Sequence, residues 1–90
     1  MKVFLSRIAD KYVKHLNEPD KGHVLNAIDG LEEEPPKGDI KPLAGLSGRY
    51  RLKTNKYRIF FRYEVKHILV THIDSRGQAY NKKNMRRSKR

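Results

Sequence analysis

Cysteine is absent from this chain, and three chemistries go with it: disulfide stapling, thiolate-bound zinc and cysteine nucleophiles. Long apolar runs are also missing. No stretch approaches the ~18 residues that a membrane span needs. The opening Met1-Lys2-Val3-Phe4-Leu5-Ser6 is too short an apolar run for a signal peptide, so a soluble protein of the cytoplasm is expected. Acidic residues are scarce in one half only. Residues 1–39 hold six Lys and Arg against eight Asp and Glu, a net −2, whereas residues 40–90 hold fifteen against two, a net +13.

That asymmetry is the strongest compositional signal. A formal net charge of +11 concentrated in one half is an electrostatic footprint for a polyanion, and an acidic protein segment would satisfy the same surface as a nucleic acid. Ninety residues allow one domain and one modest core, so a binding partner would add materially to its stability.

The hydrophobic period changes along the chain. Lys2 to Leu5 is β-prone, and Ser6 is placed to cap a helix. Ile8, Tyr12, Val13 and Leu16 recur at helical spacing over residues 7–17. Asn17-Glu18-Pro19-Asp20 breaks that helix, and Pro19 fits the first turn of a second one. Val24, Leu25, Ile28 and Leu31 form the second apolar stripe, which Pro35-Pro36 ends. Residues 35–48 hold three prolines and three glycines and read as a connecting loop. Period-2 alternation then predicts strands over 49–54, 57–64 and 67–74, the last one central and covered on both faces. Lys2–Leu5 is added to this sheet. The expected fold is α+β: a two-helix hairpin on one face of a small antiparallel sheet, in the order β-α-α-β-β-β. The single domain is expected to run over 1–81, with a basic tail over 82–90.

Alternation also sorts the charges. If Tyr50, Leu52, Tyr57, Ile59 and Phe61 face the helices, Arg51, Lys53, Arg58, Phe60 and Arg62 share the opposite face, with Arg76 and Tyr80 following the last strand. Cations hold phosphates and aromatic rings stack on splayed bases, although edge Lys and Arg also serve simply to keep a sheet solvated. On this reading Glu64 is the one carboxylate of that face. His67 and His72, five residues apart, are expected on opposite faces. A shared metal is not expected, and His72 is read as a packing residue or a secondary acid–base group near the site.

Residues 41–53, KPLAGLSGRYRLK, with Tyr57-Arg58-Ile59-Phe60-Phe61 and the Arg76 to Tyr80 ending, resemble the RelE/ParE toxin family of type II toxin–antitoxin systems. The resemblance covers residues 1–81. It implies a toxin held by a cognate antitoxin, and, for the RelE-like members, a ribosome-dependent endoribonuclease that cuts mRNA without metal or small-molecule cofactor. By position it implies Lys53 as general base, Arg58 as phosphate ligand, Arg76 as transition-state or acid group, and Tyr80 as the residue that orients or stacks on substrate. Arg49, Arg51, Phe60, Arg62, Lys82 and Lys83 are the expected RNA contacts. Two positions depart from the pattern. Arg51 replaces a frequent Lys and, staying protonated, makes a poor base. Ser75 stands where a His often precedes the Arg. A ParE-like inhibitor of DNA gyrase and a non-enzymatic nucleic-acid-binding domain remain open alternatives.

Overall fold

The computed structural model describes residues 1–75. The elements run β1 (Lys2–Leu5), α1 (Arg7–Lys14), α2 (Asp20–Gly30), β2 (Asp39–Pro42), β3 (Arg49–Thr54), β4 (Tyr57–Tyr63) and β5 (His67–Ser75). The five strands make one sheet in the order β1-β5-β4-β3-β2. The α+β class and the helical hairpin are as expected, but the sheet is mixed rather than antiparallel. β1 lies parallel to β5, with Val3 beside Ile68 and Leu5 beside Val70.

Ser6 caps α1 as its position predicts. Its hydroxyl accepts from the Ala9 amide at 3.1 Å and donates to the Thr71 carbonyl at 2.6 Å, tying the helix start to β5. The helix ends at Lys14 rather than residue 17. Its buried face is centred on Ala9 and Val13, an i,i+4 pair, while Ile8 is 68% exposed. The small Ala9 side chain sits where the helix packs on the sheet. In α2, Val24 and Ile28 are buried, with Leu31 just past the helix, and Leu25 is left partly exposed. Pro19 is the cap of this helix rather than a residue of its first turn, and the Glu18 carboxylate accepts from the Gly22 amide at 3.0 Å.

The segment read as a loop contains a strand. β2 pairs antiparallel with β3 along the sheet's edge, Asp39 beside Lys53 and Lys41 beside Arg51. Proline is tolerated in an edge strand, where no neighbour needs its N–H, and Pro42 closes this one. Gly38 leads into it with φ 122, and a Cβ there would meet Leu52 Cδ1 at 2.5 Å. Only glycine allows that approach of the chain to the core.

Leu52, Tyr57, Ile59, Phe61, Ile68, Val70 and Ile73 supply the sheet's half of the core, and Ala9, Val13, Val24, Ile28 and Leu31 supply the rest. β5 has neighbours on both edges, yet among the described residues only one of its faces is covered: both helices pack on the same side of the sheet. Asn55 takes the left-handed backbone (φ 52) in the tight β3–β4 turn.

Candidate phosphate-binding sheet face

Among the described residues no element covers the face turned away from the helices, and the residues of that face follow from register. Lys53 lies beside Arg58 and Arg58 beside Asp74, with Asp39 beyond Lys53 on β2. The next row reads Lys41, Arg51, Phe60, His72, and a third reads Arg49, Arg62, Leu69. Arg49, Arg51, Lys53, Arg58, Phe60 and Arg62 therefore share one surface, as the alternation predicts. Arg76, Tyr80, Lys82 and Lys83 lie outside the described residues.

The carboxylates differ from expectation. Asp39 and Asp74 stand at the two ends of the Lys53–Arg58 row, so Glu64 is not the sole acid of this face. Glu64 instead engages Arg62 two residues before it, in a charge-assisted hydrogen bond that occupies that guanidinium. Among the described residues no ion pair within 4.0 Å involves Arg51, Lys53 or Arg58. Arg58 goes further: its Nε is buried and has no hydrogen-bond partner, the only such side-chain atom among the described residues. A buried donor left unmade costs about 1–3 kcal/mol, more when charged, so this Nε costs stability at its position.

The histidines also differ from expectation. Phe60 pairs with His72 but Phe61 pairs with Val70, so Thr71 is the extra residue of a β-bulge. Its hydroxyl donates to the Phe60 carbonyl at 3.2 Å. The bulge inverts the alternation beyond Val70: Ile73 enters the core and His72 turns out to the open face, the same face as His67. His67 packs edge-on against Phe4 at the far margin. His72 stacks on Phe60, ring centroids 4.3 Å apart and 12° from parallel, with its Nε2 4.0 Å from the Asp74 carboxylate. Strict alternation missed this pairing; the signal in the sequence was the spacing Ile68, Val70, Ile73, which breaks period 2.

A hollow of about 630 Å³ lies on the other side, between α1 and the β4–β5 end, where Ile8, Tyr12, Leu16 and Tyr57 line it. The cationic site is thus an exposed face. Such a surface suits an extended polymer laid across it rather than an engulfed small molecule. No group of three His, Asp or Glu with metal-ligand geometry occurs among the described residues. None of their helices is long and apolar enough to cross a membrane.

A small α+β domain with helices on one face of its sheet and a row of cations on the other is the class these features define. The chain belongs to the family of ParE toxins of type II toxin–antitoxin systems, within the RelE/ParE superfamily: the family's profile matches residues 3–80. Solved structures share the fold. The RelB–RelE antitoxin–toxin complex from Methanococcus jannaschii matches with a TM-score of 0.72 and 20% identity, covering 87% of this chain and 95% of that one. The archaeal RelE–RelB complex from Pyrococcus horikoshii OT3 matches at 0.68 and 25% identity, over 86% and 96%. The toxin–antitoxin complex RelBE2 from Mycobacterium tuberculosis matches at 0.68 and 20%, over 83% and 96%. No curated protein sequence matches this chain.

Proposed function

We propose that this toxin is an endoribonuclease that cuts mRNA on the ribosome, by attack of the RNA's own 2′-OH on the adjacent phosphate. The observation that carries this reading is the pairing of Arg58 with Lys53 on the sheet face turned away from the helices, neither of them in an ion pair among the described residues. A phosphate seated there would accept from Arg58 and gain charge stabilisation from Lys53 and Arg51. Cleavage of this kind needs a proton acceptor for the 2′-OH, a donor for the 5′-oxygen and stabilisation of a phosphorane-like dianion. Lys53 is the acceptor in this reading, and the resemblance to RelE-like members adds Arg76 and Tyr80. The expected products are a 2′,3′-cyclic (or 3′-) phosphate and a 5′-OH, formed without added metal.

Three of the matching solved structures are complexes of RelE-type toxins with their antitoxins. The open face here, basic and unpaired, is where an acidic segment of a cognate antitoxin would lie. Its binding would cover Arg58 and Lys53 and block RNA.

A second reading rests on the family match itself, which is to ParE toxins: inhibition of DNA gyrase. One experiment separates the two. The chain is induced in growing cells, RNA 5′ ends are mapped and DNA breaks are scored. Cuts inside coding regions that require ribosomes support the nuclease. Intact mRNA with double-strand DNA breaks rejects it in favour of gyrase. Cleavage that is abolished by chelation and restored by magnesium, with ribosomes kept intact, rejects the metal-free mechanism.

A further inference from the structure

We infer that His72 is the proton donor to the 5′-leaving oxygen, held for that task by Phe60 and Asp74. The assignment rests on the nuclease reading and gives the acid role in it to His72, leaving Arg76 to stabilise the transition state. Arginine stays protonated and is a poor acid, so Arg58 and Arg51 can hold a phosphate but not readily deliver a proton to it. Imidazole is the side chain that exchanges protons near neutrality.

Four observations place His72 there. The Thr71 bulge turns it onto the open face, against the strict alternation of β5. Bulges recur next to functional sites because they re-aim a side chain in this way. The ring is fixed from below by the stack on Phe60. Asp74 flanks it, its carboxylate 4.0 Å from Nε2. Finally, the His72 row is next to the row of Lys53 and Arg58, about 6–7 Å along the strands; Arg58 is one strand from His72 and Lys53 two, about 10 Å across the sheet, so the two long side chains can reach a phosphate held between the rows. The side chain is about half exposed, open to substrate from above.

The charged neighbours of the ring are few. On its own strand the facing group is Asp74; on β4 they are Arg58, opposite Asp74, and Arg62, one row away and engaged by Glu64. Beyond Phe60 on β3 stands Arg51. On the other edge the chain next to β5 is Ser6, whose hydroxyl is bound to the Thr71 carbonyl.

The step balances. Neutral Lys53 takes the 2′-OH proton as the 2′-oxygen bonds to phosphorus. The P–O5′ bond breaks, and the departing 5′-oxygen takes the proton of the His72 imidazolium. A 2′,3′-cyclic phosphate and a 5′-OH result, leaving an ammonium at Lys53 and a neutral imidazole at His72. Solvent exchange restores both.

The test uses single-turnover cleavage of a ribosome-bound mRNA at the mapped site, with either the natural 5′-oxygen or a bridging 5′-sulfur at the scissile phosphate. Thiolate is a good leaving group and needs no proton. H72Q and H72F, the second keeping the ring stack, should lose ~10²–10³-fold on the oxygen substrate. They should also lose the fall in rate at rising pH that a protonated imidazole imposes. On the sulfur substrate both should cut within a few-fold of wild type. Thermal unfolding and antitoxin binding of the variants should match wild type. Wild-type cleavage of the oxygen substrate by H72Q overturns the assignment, as does a defect that sulfur fails to rescue. A wild-type protein that cuts neither substrate fails differently: it removes the nuclease reading itself, and this assignment with it.

Discussion

The two faces of this sheet are made by the same strands and differ in almost everything else. On β4, Tyr57, Ile59 and Phe61 are buried against the helices, while Arg58, Phe60 and Arg62 between them stay partly exposed on the bare side. Adjacent residues of one strand thus answer to different pressures. The covered face satisfies its polar atoms and excludes water. The open face carries cations without ion pairs among the described residues, a stacked aromatic pair, and a buried donor without a partner, the last of which costs stability. The lesson is that stability and activity should separate by side-chain parity along β4, and substitutions at neighbouring positions can test it.

The largest effect should come from the covered face. Phe61 is 1% exposed and among the largest buried side chains. Phe61→Ala is expected to cost about 3–5 kcal/mol, by lost burial and the cavity left behind. For a domain of this size that is a large part of the whole stability. Urea unfolding should show the midpoint collapse, and addition of antitoxin should partly restore it. A loss below ~1 kcal/mol would mean that the helices do not hold this face as described.

Arg58→Ala, three residues away on the other parity, should invert the outcome. Unfolding should shift by no more than about 0.5 kcal/mol in either direction, since the change also removes the unpaired Nε. Cleavage should fall ~10²–10³-fold, the typical cost of losing a preorganised charge at a developing oxyanion. Lys53→Arg is the sharper companion. It keeps the charge and removes the proposed base, so a rate equal to wild type would leave Lys53 a purely electrostatic role.

The parity argument also explains how far the sequence could be read. Alternation holds without interruption from Arg49 to Phe60, and there the cations of the open face were legible by counting. The count fails at Thr71, where one extra residue reverses the sense of everything after it. Asp74 is therefore given no place on the site by alternation, and His72 only a secondary one beside packing, although both residues are visible in the sequence. β2 was hidden for another reason. Pro36, Gly38, Pro42 and Gly45 have the composition of a loop, and pairing at a sheet edge depends on β3 rather than on local propensity. The parallel placement of β1 is likewise a long-range matter: four residues hold no information about which strand they join.

A smaller effect is expected at Arg51. It sits beside Lys41 and Phe60 on the open face, one row from Arg58, and cannot readily serve as a base. Arg51→Ala should weaken RNA binding about equally for all sequences and leave the chemical step nearly unchanged. If it contacts one phosphate, the slope of log binding constant against log salt should fall by about 1. A change in the cleavage rate of bound substrate with an unchanged salt slope would move Arg51 from binding into the chemistry.

The smallest effect tests the boundary between the faces. Tyr57 buries its ring in the core but donates its hydroxyl to the Asp20 carboxylate at 2.7 Å, linking the start of β4 to the start of α2, and Lys56 stands 3.6 Å from the same acid. Burial, together with the Asp20 carboxylate, pushes the Tyr57 hydroxyl up to about 12. The same hydrogen bond holds Asp20 below its ordinary value, with Lys56 adding to it. The signs follow from linkage. Tyr57 favours the folded state in its neutral form, so its contribution is complete below the ordinary tyrosine value near ~10 and is lost as pH rises through about 12. Asp20 favours the folded state in its charged form, so its contribution is present above the ordinary carboxylate value and fades as pH falls through its lowered one. Tyr57→Phe keeps the ring and removes the hydroxyl. At neutral pH it should lower the unfolding midpoint by less than Phe61→Ala does. The gap from wild type should narrow at both alkaline and acid extremes, while RNA cleavage at neutral pH stays unchanged. A gap independent of pH would show that the hydroxyl contributes through packing alone, and a loss of cleavage would break the separation of the two faces at its edge.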